Sequence, residues 1–221
     1  MAIETTTNNE YIDVGRSVPD SSARNQKRLS QEQRSARSRS ALLKSAVICI
    51  SSLGCSEATV EVIARHANLS RGAVQHHFGS RKELLAAVVD EFGVLLSTAK
   101  QIPPDLSLDE RLDRAIDLSW KRLKTPHFLA VIHIWLSLKN MPGMRPIIAR
   151  KIKLIEMQLD DEWQRLFDQA GVEAATVSVT RRLIVATLRG LALRKLYFSG
   201  PAEWTDEIDA LKKMARTLLR N

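Results

Sequence analysis

The sequence predicts an all-α fold of about nine helices, and three observations carry that prediction. Apolar residues recur at i, i+3, i+4 spacing along most of the chain. Ser-x-x-Gln or Ser-x-x-Glu capping-box patterns stand at Ser30, Ser80 and Ser107, where Ser accepts from the third helical amide. Alternating β-type runs bounded by turn pairs are absent, and no proline occurs between Pro19 and Pro103.

The elements follow in order. Residues 1–29 are rich in Thr, Asn, Ser and charge and show no hydrophobic period, so they read as a disordered basic tail. The helices are expected at 31–53, 59–67, 70–78, 81–102, 108–124, 126–140, 144–170, 173–199 and 201–219. Gly54, Gly79, Gly143, Gly171 and Gly200 stand at the breaks. Thr125-Pro126 and Gly200-Pro201 place proline at a first helical position. In the first helix Leu42, Leu43, Ala46, Val47, Ile50 and Leu53 share one side, with Arg34, Arg37 and Lys44 opposite. The early turns of that helix should therefore stand clear of the core.

With 221 residues, 44% hydrophobic and 26% charged, the chain has a globular composition and length for one to two domains. Apolar patches such as Ala46–Ile50 fall far short of the roughly 18 residues a membrane span needs. The first 19 residues lack a hydrophobic signal segment, so a cytoplasmic protein without membrane contact is expected. Cys49 and Cys55 make neither a disulfide framework nor a zinc tetrad. Net charge is +8, and most of it gathers between Arg24 and Lys44, where seven Lys and Arg face one acid, Glu32. Such a cluster suits a polyanion partner, or is simply a solvated arm.

The informative stretch is Thr59–Leu85, TVEVIARHANLSRGAVQHHFGSRKELL. Val60, Ile63, Ala64 and Ala67 form the buried face of a short helix. Asn68-Leu69-Ser70 is a tight break: Asn tolerates the left-handed conformation, Leu69 packs inward and Ser70 caps the next helix. In that second helix Val74 and Phe78 face the core, leaving Arg71, Gln75 and His76 outside, while Gly72 permits close approach to a surface. Two short helices with a three-residue turn make a helix-turn-helix, whose second helix enters the DNA major groove.

The order Thr-Val-x-x-Ile-Ala-x-x-Ala, then Leu-Ser-x-Gly-Ala-Val, then His-His-Phe-Gly-Ser-Arg-Lys-Glu-Leu-Leu resembles the N-terminal domain of the TetR family of bacterial transcriptional regulators. It departs from the common pattern at Asn68, often Gly, and at Gln75, often Tyr; Gln suits adenine. The resemblance implies a helix-turn-helix DNA-binding domain over 30–80 and a helical effector-binding and dimerisation domain over 81–221. It also implies roles. Thr59 caps its helix and touches a phosphate; Ser70 and Arg71 open the recognition helix. Arg71 is the candidate guanine reader, and Gln75 and His76 lie along the same side. His77 and Arg81, with Lys82 beside them, contact backbone phosphates. Arg34 and Arg37 in the basic arm are expected at phosphates or the minor groove.

Other chemistries lack support. The five histidines form no metal-ligand spacing, and there is no phosphate loop or nucleophile elbow. No cofactor is expected, and neither is an enzyme.

In the body, the helix at 126–140 is apolar nearly all round, which predicts burial on every side. His133 interrupts it, either as a satisfied core residue or as a ligand contact. Trp120, Trp135, Met157 and Trp163, with His133, are the expected lining of the effector pocket that the resemblance implies. Two seams point to a dimer: Val179, Leu183, Ala186, Gly190, Leu193 and Tyr197, and then Trp204, Ile208, Leu211, Ala215 and Leu218. The expectation is a homodimeric repressor that binds an inverted-repeat operator in double-stranded DNA and is released by a small, largely apolar effector. The alternative is a DNA-binding regulator without such an effector, protein-controlled or an activator.

Overall fold

The computed structural model describes residues 30–97, 99–168, 171–194 and 204–220. The expected tail, 1–29, and Tyr197 of the first seam lie outside the described residues. Among the described residues the chain is all-α, with nine α-helices and no strand. They are α1 (Gln31–Glu57), α2 (Val60–His66), α3 (Arg71–Phe78), α4 (Arg81–Leu96), α5 (Leu108–Leu123), α6 (Pro126–Ser137), α7 (Arg145–Phe167), α8 (Ala174–Arg194) and α9 (Thr205–Arg220).

Local chemistry sets the helix starts. Ser30 and Ser107 form full capping boxes with Gln33 and Glu110. Ser80 accepts from the Glu83 amide at 3.3 Å without the reciprocal bond. α4 ends at Leu96 rather than near 102: Ser97 leaves the helix, and a 3-10 turn (Ala99–Gln101) leads into Pro103-Pro104. α1 continues past the expected break, but Gly54 kinks it with φ 81 and ψ 165.

Two apolar cores meet along α4. In the first, Leu42, Ile50, Ile63, Leu84 and Leu85 are fully buried, joined by Ala130 and Ile134 of α6 and Ile148 of α7. Each such Leu or Ile contributes about 1.5–3 kcal/mol. In the second, Trp120, Phe128, Trp163, Phe167, Leu188 and Leu211 gather from α5 to α9, with Phe92 from α4. The helix that follows α3 is thus anchored in both cores.

α6 corrects the expectation of burial all round. Phe128, Ala130 and Ile134 are buried, but Trp135 and Leu136 are 59% and 61% exposed. α6 packs mainly on α1 and α4, and Trp135 and Leu136 border an open cleft with Arg145, Ala149 and Ile152 of α7.

α9 is the second correction. Ile208, Leu211 and Ala215 are buried inside their own subunit, in the second core. An ionic ladder fixes that face: Asp109, Asp113 and Asp117 of α5 pair with Arg220 at 2.5 Å, with Arg216, and with Lys212 at 2.7 Å. α7 and α8 are joined by the fully buried Arg181, which reaches Glu156 and Asp160 at 2.6 Å each. Among the described residues no helix is long and apolar enough to cross a membrane.

Candidate nucleic-acid interface

The α2–α3 unit is built by its buried face. Ile63 and Ala64 of α2, and Val74 and Phe78 of α3, are buried against α1 and α4. Between the helices Asn68 adopts φ 55, the left-handed bend its side chain tolerates. The Leu69 amide then donates to the Ala64 carbonyl at 2.9 Å, closing the turn. Thr59 and Ser70 cap the two helices, accepting from the Val62 and Ala73 amides at 3.3 Å each.

With Val74 and Phe78 turned inward, Arg71, Gly72, Gln75 and His76 are exposed together. Their i, i+1, i+4, i+5 spacing makes one continuous strip on α3. A Cβ added at Gly72 would meet only the Ser70 hydroxyl, at 3.6 Å, so the strip is low there. Arg34 and Arg37 are exposed on α1 before its first buried residue, Leu42.

The phosphate candidates divide. His77 is half-buried, edge-on to His76 with ring centroids 4.9 Å apart. Burial first, then the neighbouring charges of His76 and Arg39, hold its imidazole below the ordinary histidine range. Lys82 is exposed. Arg81 is turned inward: its guanidinium donates to the Cys55 carbonyl and lies 3.7 Å from the Cys55 sulfur. This corrects the expected outward phosphate contact, because Gly54 bends α1 and leaves the Cys55 carbonyl to be satisfied.

One residue on this face escaped the sequence reading. Glu61 Oε1 lies 3.0 Å from Arg71 Nη1. The pair spans the turn, so no helical spacing announces it.

The five expected effector residues are not brought together. Trp120 and Trp163 are packed in the second core, while Trp135 and Met157 are exposed. His133 is half-buried and lies against the α1 kink, its Nδ1 3.8 Å from where a Gly54 Cβ would stand. Periodicity marked these side chains as apolar-facing but could not say which cavity they face. A cleft of about 380 Å³ instead opens between α1, the α5–α6 turn and α8, lined by residues including Ser52, Leu123, Lys124, Phe128, Leu129 and Leu193.

The seams also separate. On α8, Leu183, Ala186 and Gly190 are exposed and Leu193 is half-buried, so that stripe faces outward. On α9 the outward apolar residues are Ala210, Met214 and Leu218, and Trp204 is half-buried with the Arg194 guanidinium 4.4 Å over its ring.

Comparison with known proteins agrees with this geometry. Residues 42–88 match the family described as bacterial regulatory proteins, tetR family. The chain is 27% identical over 162 residues to the HTH-type transcriptional regulator BetI 2 of Chromohalobacter salexigens, covering 71% of this chain and 76% of that protein. It is 24% identical to the HTH-type transcriptional regulator CymR of Pseudomonas putida, covering 77% and 85%. In fold it resembles Salmonella enterica GusR, with a TM-score of 0.66, 20% identity and coverage of 87% and 99%. A TetR-family regulator structure from Rhodococcus sp. gives 0.63, 19% identity and coverage of 83% and 99%.

Proposed function

We propose that this chain, a member of the TetR family of bacterial regulatory proteins and a DNA-binding transcriptional regulator rather than an enzyme, is a cytoplasmic homodimeric repressor released from its operator by a small molecule. The observation that supports it best is the open strip Arg71, Gly72, Gln75 and His76 on a helix whose other face is buried. In this reading Arg71 takes guanine O6 and N7, Gln75 takes adenine, and His77, Lys82, Thr59, Arg34 and Arg37 serve phosphates. Ser70 acts as the cap. Residues 30–80 form the head and 81–221 the body.

The outward stripe of α8, with Ala210, Met214 and Leu218 of α9, forms the dimer seam. A Cβ at Gly190 would meet nothing within 4 Å, which suits close helix approach by a partner. Two heads then reach successive major grooves about 34–36 Å apart. The effector is a small, largely apolar molecule in the cleft at the α5–α6 turn, whose lining includes Ser51 and Ser52 of α1 and Leu193 of α8. A 100-fold loss of operator affinity needs about 2.7 kcal/mol of differential binding. The scatter of Trp120, His133, Trp135, Met157 and Trp163 favours a second reading, a regulator without a small-molecule effector.

The test is binding to the DNA flanking its own gene, with transcription from that promoter measured with and without the protein. Repression, lost with Arg71→Ala at a cost of about 1–3 kcal/mol in operator binding, supports the reading. Stimulated transcription would make it an activator.

A further inference from the structure

Glu61 is the sole acid in the helix-turn-helix segment 59–80. It stands in the first turn of α2 and is half-exposed, on the side of the molecule that the proposed function turns toward phosphate. A carboxylate there is repelled by DNA unless it serves a partner. Its partner is Arg71, the first residue of α3, whose side chain is 77% exposed. Glu61 Oε1 and Arg71 Nη1 are 3.0 Å apart.

Glu61 is itself held. Its own backbone amide foremost keeps its carboxyl below the usual glutamate range; burial opposes this, and the Arg71 charge and the Thr59 hydroxyl add to the lowering. So an ionised, locally fixed carboxylate fastens one end of a long, otherwise free side chain. A guanidinium has five N–H donors in a planar fork. One engaged Nη1 donor leaves an edge for two parallel bonds to a base. Without that tie, an exposed arginine sweeps the nearest phosphates, which carry no sequence information. In water such an exposed pair contributes little to stability. Its effect belongs to the DNA complex, where water is excluded between the two surfaces.

We propose that Glu61 is a specificity-determining positioning residue, which holds the Arg71 guanidinium toward a guanine and away from phosphates. This rests on reading Arg71 as a base reader.

The experiment starts from an operator duplex obtained by selection from random DNA. Each G·C pair of the half-site is replaced in turn, and dissociation constants are measured for wild type, Glu61→Gln, Arg71→Ala and the double variant. Random duplex DNA is titrated at several salt concentrations, and melting curves confirm that all variants fold. The expectation is that Glu61→Gln lowers discrimination at one G·C pair by roughly tenfold or more. It tightens binding to random DNA and steepens the salt dependence by about one released ion, as Arg71 turns to a phosphate. In the Arg71→Ala background, Glu61→Gln leaves discrimination unchanged. If Arg71→Ala abolishes discrimination and Glu61→Gln does not alter it, Arg71 reads a base and the role of Glu61 is overturned. Equal effects of Glu61→Gln with and without Arg71 overturn it too. Full discrimination by Arg71→Ala overturns the base reader and this inference together.

Discussion

Gly93 of α4 lies against Ile155 of α7 so closely that a Cβ built on it would stand 2.6 Å from the Ile155 Cγ1 and 2.7 Å from its Cδ1. α4 directly follows the recognition helix and runs into both cores, so this contact sets how the head is carried on the body.

Gly93→Ala therefore pits two effects against each other. Alanine gains about 1 kcal/mol in helix propensity. The collision costs about 1–3 kcal/mol, because the branched Ile155 side chain must shift within packed surroundings. The collision is expected to win. Urea denaturation should show a net loss of about 1 kcal/mol, and Ile155→Ala in the same chain should restore the propensity gain relative to Ile155→Ala alone. A Gly93→Ala protein more stable than wild type would show that α4 and α7 separate freely.

The two apolar faces of the last helices predict opposite outcomes for one kind of change. Leu183 is 51% exposed on α8, whereas Leu211 is buried in its own subunit. Leu183→Glu should leave each subunit folded and shift the protein to monomer in sedimentation at micromolar concentration. Leu211→Glu should place a charge in the subunit core, cost several kcal/mol and unfold the body. A folded, dimeric Leu183→Glu protein would remove α8 from the interface.

These faces also show what is legible in a sequence. Local devices were: the Ser70 cap, the Asn68 bend, the buried pair Val74 and Phe78, and hence the open strip on α3, all follow from residue type and spacing. The spacing of Ile208, Leu211 and Ala215 on α9 marks an apolar stripe and suits a partner equally well, yet the stripe is buried in its own subunit. Periodicity marks a face for burial without saying in which molecule. The ionic ladder from Asp109, Asp113 and Asp117 to α9 is a tertiary fact that decides it. The exposure of Trp135, the inward turn of Arg81 and the Glu61–Arg71 pair are of the same kind, since each depends on which element lies opposite.

His77 predicts a pH dependence of both stability and binding. Its folded pKa lies below the ordinary 6.5, chiefly through burial. The unfolded chain therefore binds its proton more readily. Stability is full above pH 6.5 and declines as pH falls from there toward the depressed folded value. A phosphate beside His77 would favour the imidazolium and reverse the sign for the complex. Melting should worsen as pH falls below about 6.5 while operator affinity rises, and His77→Gln should flatten both trends. An affinity that is flat or falls in that window would place His77 away from phosphate.

The central claim is that α3 reads DNA as one of two symmetry-related heads. Selection of bound duplexes from random DNA, followed by footprinting of the enriched sequence, tests it most directly. The expected outcome is an inverted repeat whose half-sites are centred about 10 base pairs apart, or a multiple of that, each protected in the major groove. Arg71→Ala should lose protection at one G·C pair per half-site. No enrichment, or a single asymmetric site bound by one chain, would contradict it.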